Sequence, residues 1–95
     1  MAFMDDVKLH LRITTGALDV EVQDLIDAAK ADLDLSGVDP LKIVDTDPHI
    51  RRAVTLYCKA HFGYDNPDHN KLLDSYDSLK RHLTLSADYQ AGDEA

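Results

Sequence analysis

Asp47-Pro48-His49-Ile50-Arg51-Arg52-Ala53-Val54-Thr55-Leu56-Tyr57-Cys58-Lys59-Ala60-His61-Phe62-Gly63 is the stretch whose reading decides the fold. The Asp47 carboxylate can accept from the unpaired N–H groups of a first helical turn. Pro48 suits the first helical position, where its missing N–H costs no bond. Gly63 can take the left-handed conformation that ends a helix. Between these marks Ile50, Ala53, Val54, Tyr57, Cys58 and His61 recur at helical spacing on one face. Leu56, Ala60 and Phe62 add apolar surface beside that stripe. A surface helix needs only one stripe, so this helix is expected to be packed on more than one side. At about 1.5 Å per residue it spans roughly 22 Å, the width of a small domain. It is read as the central helix.

On its C-terminal side, Asn66-Pro67-Asp68 reads as a turn into a helix start. The closing helix is predicted from His69 to Leu83, with Leu85 a candidate extension. Its Leu72, Tyr76, Leu79 and Leu83 recur at steps of four, three and four, a seam too short for a coiled coil and suited to docking on the central helix. Ser86 to Ala95 is small, polar and acidic, with nothing expected to fill a core. Residues 1–86 are therefore read as the helical domain and 87–95 as a flexible acidic tail.

On its N-terminal side, Val38 to Thr46 is a linker containing Pro40, with Leu41, Ile43 and Val44 expected to tuck one turn against the core. Asp19 to Ser36 is predicted helical, capped by Asp19 and closed by Gly37. Val22, Leu25, Ile26, Ala29 and Leu33 form its apolar stripe. Asp24, Asp27, Lys30, Asp32 and Asp34 crowd its other sides. Acids in the second half of a helix oppose the dipole by up to ~1 kcal/mol each, which points to a solvated or partner-facing side. Before it, Val7, Leu9, Leu11 and Ile13 alternate at strand period, while Met4, Val7 and Leu11 share a helical face. A short helix is the preferred reading, ended by Thr14-Thr15-Gly16. The sum is a small all-α domain of four helices joined by short loops.

Ninety-five residues suit one domain, and 44% hydrophobic content argues against wholesale disorder. No apolar run approaches membrane-spanning length and no leader pattern is legible, so a cytosolic site of synthesis and assembly is expected. The single cysteine, Cys58, excludes an internal disulfide and reads as a buried apolar group. A formal net charge of −8 disfavours a surface built to grip phosphates. The same charge suits a surface that DNA passes without adhering.

The chemistry-bearing residues assemble no reaction centre. Cys58 and His61 are three apart on one helix and His69 follows after a turn, ligand types that zinc accepts. With no paired Cys-x-x-Cys, a buried thiol and ordinary imidazoles are the better reading. Ser36, Ser75, Ser78 and Ser86 lack the glycines of a nucleophile elbow. Asp24, Asp27 and Asp34 could ligate Mg²⁺, yet such a charged helix side is usually solvated. The four glycines form no phosphate-cradling loop. No catalytic residue, metal or cofactor is expected. Arg51 and Arg52 lie in a first turn against the dipole preference, as charges facing a partner can. Helix-turn-helix recognition of DNA would need a basic face that this acidic chain does not advertise.

Four stretches, in this order and spacing, resemble the phage head–tail connector family, small helical adaptors also known as phage DNA-packaging proteins. Asp6-Val7-Lys8-Leu9-His10-Leu11-Arg12-Ile13 is similar to its opening helix, and Asp19-Val20-Glu21-Val22-Gln23-Asp24-Leu25-Ile26-Asp27-Ala28-Ala29 to its second. The stretch from Asp47 to Tyr64 is similar to its central helix and turn, and Tyr76-Asp77-Ser78-Leu79-Lys80-Arg81-His82-Leu83-Thr84-Leu85-Ser86 to its closing helix. One departure is His49, where the family pattern favours an apolar residue. The likeness runs from about Met4 to Ser86. It implies a structural protein of the virion head–tail interface, assembled in the host cytoplasm, with no active site. It further implies a homo-oligomeric ring beneath the portal protein that extends the DNA channel and docks the next head-completion or tail protein. DNA would pass without sequence-specific binding, and no membrane is involved. Asp24 and Asp27 are the candidate channel-facing acids. The alternative is a small helical regulatory or DNA-binding module.

Overall fold

The computed structural model describes residues 3–62 and 66–90. Four α-helices follow one another: α1 (Phe3–Leu11), α2 (Asp19–Leu35), α3 (Pro48–His61) and α4 (His69–Leu85), with 3₁₀ turns at Gly16–Leu18 and Pro40–Lys42. No strand occurs among the described residues; one isolated bridge pairs Val38 with Gln90. The all-α reading holds.

The central role of α3 holds as well. It packs on α1, α2 and α4. Asp47 Oδ1 accepts from the backbone N–H groups of His49 (2.8 Å) and Ile50 (3.3 Å), and Pro48 follows as the first helical residue. Ile50, Ala53, Val54 and Cys58 are fully buried. Thr55 and Ala60 are buried too, whereas Tyr57 is half-buried and His61 exposed, because packing on three sides draws in more than one stripe. Gly63, read as the terminator of α3, lies outside the described residues.

In α1 the helical period wins over the strand period: Val7 is fully buried while Leu9 is 68% exposed. The helix ends on Arg12, whose φ is +61°. Arg12 N–H donates to the Leu9 carbonyl and Ile13 N–H to the Lys8 carbonyl, the two bonds of a Schellman cap. A side chain in this region is strained, so Arg12→Gly is expected to raise stability by about 0.5–1 kcal/mol, after the entropy a glycine adds to the unfolded chain. Urea denaturation measures it. At the end of α2, Gly37 takes the same place with φ +113°, and Val38 N–H closes back on Leu33, both side chains buried. The predicted closure at Gly37 is thus observed.

Three expectations need correction. Asp19 does not cap α2. The 3₁₀ turn before it is capped by Thr15, whose Oγ1 accepts from Ala17 N–H, and Asp19 instead pairs with Lys8 at 2.6 Å, tying α2 to α1. Of the three linker residues expected to tuck in, only Ile43 packs on the core, while Leu41 is 84% and Val44 40% exposed. A 3₁₀ turn advances three residues per revolution, so positions 41 and 43 cannot share a side. Finally, residues 87–90 of the stretch read as tail fold back on the body: the Tyr89 ring packs on the core, and its carbonyl accepts from Asp39 N–H at 2.7 Å. Residues 91–95 lie outside the described residues.

Candidate functional site

The Asp47 cap fixes where α3 begins and therefore where its cations point. Arg51, Arg52 and Lys59 open with Asp6 and His10 of α1 onto a groove of about 500 Å³ between the two helices. Arg51 is held in place: its Nη1 donates to the Asp45 carbonyl at 3.3 Å, and its Nε lies 3.6 Å from Asp6 Oδ2. That Asp6 oxygen is buried and accepts no hydrogen bond among the described residues. Arg52 is exposed, and neither its guanidinium nor the Lys59 ammonium meets a carboxylate among the described residues. A smaller hollow of about 260 Å³ shares His10 and Lys59 and continues toward Leu11, Phe62 and Leu72. The trough is cationic at one end, and at the other Leu11, Phe62 and Leu72 stand beside Asn66 and Asp68.

The acids occupy a different side. The stripe Val22, Ile26, Ala29 and Leu33 turns inward, and Asp24, Asp27 and Asp34 stand exposed on the outer face of α2. Asp27 accepts from Gln23 Nε2 at 2.9 Å. Val20 and Leu35 share this outer face at 76% and 87% exposure. Asp24 and Asp27 thus lie together, and the structure does not bring them to the groove. None of the groove's lining comes from α2.

Asp32 does not belong with those acids. It accepts from the Tyr76 hydroxyl at 2.6 Å and from Lys80 Nζ at 3.0 Å, joining α2 to α4. Burial pushes its carboxyl up, but the bonds from Tyr76 and Lys80 and the ammonium charge outweigh that and hold it below the usual range. Asp47 behaves alike. Burial raises it, yet the Tyr89 hydroxyl, which donates to Oδ2 at 2.8 Å, and the two cap N–H groups bring it down. The Tyr89 phenol is pushed up to about 12 by burial, by donating to Asp47 and by the charges of Asp47 and Asp88.

These shifts set a pH profile. Asp32 and Asp47 are stronger acids folded than unfolded, so their stabilisation is complete above the ordinary carboxylate value of 3.8 and is lost as pH falls through their lowered values. Tyr89 is a weaker acid folded, so its contribution is complete below 10.0 and is lost as pH rises toward about 12. Melting temperature against pH is expected to fall on both flanks, on the acid side below 3.8 and on the alkaline side from 9.0, where the buried Cys58 thiol, raised to about 12 by burial, starts the loss ahead of the phenol. Tyr89→Phe should remove the part of the alkaline fall that belongs to this phenol.

Of the residues weighed as metal ligands, His61 and His69 meet edge-on with ring centroids 5.6 Å apart, and no third ligand joins them among the described residues. Cys58 is buried and its thiol is pushed up to about 12 by burial. His61 is exposed and stacks against Tyr57 at 4.3 Å, and His69 Nδ1 donates to the Ala60 carbonyl at 2.6 Å. No group of three or more metal-ligating residues occurs among the described residues. Nor is any described helix long and apolar enough to cross a membrane. The groove escaped sequence reading as a unit, although its signals were present: Arg51-Arg52 in a poor place, Lys59 two turns on, and Asp6 and His10 one turn apart on α1.

With this geometry in hand, comparison with known proteins gives one result. A family model described as phage connector protein matches residues 3–90. No curated protein and no solved structure matches the chain.

Proposed function

The chain belongs to the phage connector protein family, and from that membership we propose that it assembles as a ring of identical subunits beneath the portal, extends the DNA channel and presents a docking surface to the next head-completion or tail protein. Its connector role is structural and places it in the phage particle. The observation that carries it is that the match spans all four helices. The body that builds the groove and the acidic face is therefore the part that resembles the family. The work is done by fit and charge, without chemical turnover.

A ring of identical subunits needs two different complementary surfaces on each copy, since a head-to-tail contact joins unlike patches. The cationic trough of α1 and α3 and the acidic outer face of α2 are two such surfaces. A regulatory or DNA-binding module would draw support from the groove alone, and three cations beside the half-buried Asp6 make a poor phosphate track. The acids Asp24 and Asp27 have two places to go in a ring. They can line the passage, where like charge keeps the DNA backbone from adhering, or enter the seam between subunits.

The test is direct. Purified chain added to DNA-filled heads that carry portal is expected to add a ring of density beneath the portal in electron micrographs and to slow DNA loss. Failure to bind such heads, under conditions where the chain is folded, refutes the connector ring.

A further inference from the structure

We propose that the α1–α3 groove is the seat for the outer face of α2 from a neighbouring copy, with Arg52 and Lys59 of one subunit meeting Asp27 and Asp34 of the next. The inference rests on the connector reading and names the seam of its ring.

Charge is the first argument. On a chain of net charge −8, this groove gathers three cations. Arg51 is neutralised by Asp6, which also fixes its position. Arg52 and Lys59 remain free of carboxylates among the described residues. They stand two turns apart, about 10.5 Å along the axis. On the outer face of α2, Asp27 and Asp34 are also two turns apart, with Asp24 one turn before Asp27. Carboxylates and cations therefore recur at the same interval on the two surfaces.

Shape and apolar exposure are the second. Between its acids the outer face of α2 carries only Ala28 and Ala31, both exposed, so its backbone can approach a groove closely. Val20 and Leu35 lie toward its two ends, largely uncovered. Large apolar side chains left in water cost free energy that burial recovers. Leu56 in the groove and Leu11, Phe62 and Leu72 beyond it supply apolar surface to receive them.

Placement is the third. The groove is built by α1 and α3, whereas the acids stand on the side of α2 turned away from α3. Donor and acceptor surfaces on different sides of one body cannot satisfy each other within a subunit. They can do so between subunits, in the head-to-tail manner that closes a ring. The acids of α2 then belong to the seam and not to the passage.

The test is a charge swap, read as copies bound per portal-carrying head. Wild-type chain, Asp27→Lys/Asp34→Lys, Arg52→Glu/Lys59→Glu and the chain with all four changes are compared, each checked for folding by circular dichroism. Asp27, Asp34 and Arg52 are exposed, and Lys59 is half-buried with no ion pair among the described residues, so folding should survive. Each double variant is expected to lose at least tenfold in occupancy, and the fourfold variant to recover most of it, since its groove and helix face are again complementary. Double variants that bind as wild type overturn the seam. So does a folded fourfold variant without recovery. An acid variant that binds at full occupancy but leaks DNA places the outer acids of α2 in the passage and overturns the seam while sparing the ring. Wild-type chain that binds no heads removes both.

Discussion

Tyr76→Ala is expected to lower the unfolding free energy by about 3–5 kcal/mol, the range for deleting a buried aromatic side chain. Tyr76 is 2% exposed and stacks edge-on against Tyr57 at 5.3 Å. Its hydroxyl also donates to Asp32, so truncation removes packing and a helix-to-helix bond together. Tyr76→Phe separates the two. It keeps the ring and leaves Asp32 with Lys80 as its side-chain donor, and should cost about 1–2 kcal/mol. Equilibrium urea unfolding measures both. If the two variants are equally destabilised, ring packing contributes nothing and the account of this site is wrong.

The second large effect is expected at Asp47. Asp47→Ala removes the cap of the central helix, worth about 1 kcal/mol, and leaves the Tyr89 hydroxyl without its closest acceptor, for a total near 2–3 kcal/mol. One carboxylate serves both ends of the fold, with Oδ1 on the helix start and Oδ2 on the returning C-terminal segment. Asp47→Ser should retain most of the cap while losing the phenol, whose partner a shorter side chain cannot reach. It is therefore expected to fall between wild type and Asp47→Ala. Hydrogen exchange should show faster amides at Asp39, which donates to the Tyr89 carbonyl, in both variants. Unchanged exchange at Asp39 would mean that the 87–90 segment stays down without its clasp.

The sequence made most of the fold legible because its punctuation is strong. Asp47-Pro48 and Gly37 sit where the caps are, and the apolar stripes of α2 and α4 face inward as their spacing requires. What stayed hidden were contacts between residues distant in the chain. Asp32 reads as one more acid on a crowded helix, and only the approach of α4 shows that it meets Tyr76 and Lys80, 44 and 48 residues away. Tyr89 stands alone among small and polar residues, and a single aromatic has no period to betray its role. The departure at His49 is harmless in this structure. Its side chain is exposed and lies edge-on to the Tyr89 ring, so no apolar pocket is left unfilled there. The groove was legible only as scattered basic residues, because the packing of α1 on α3 is what collects them.

The bond between Asp47 and Tyr89 joins residues 42 apart. Ribosomes add about 5–20 residues each second, so the carboxylate is made roughly 2–8 seconds before its phenol exists. A nascent chain therefore holds an unclasped precursor through that delay, and the finished body appears only after translation has passed residue 89. A truncated product of stalled synthesis that ends before residue 89 carries the defect of an open clasp.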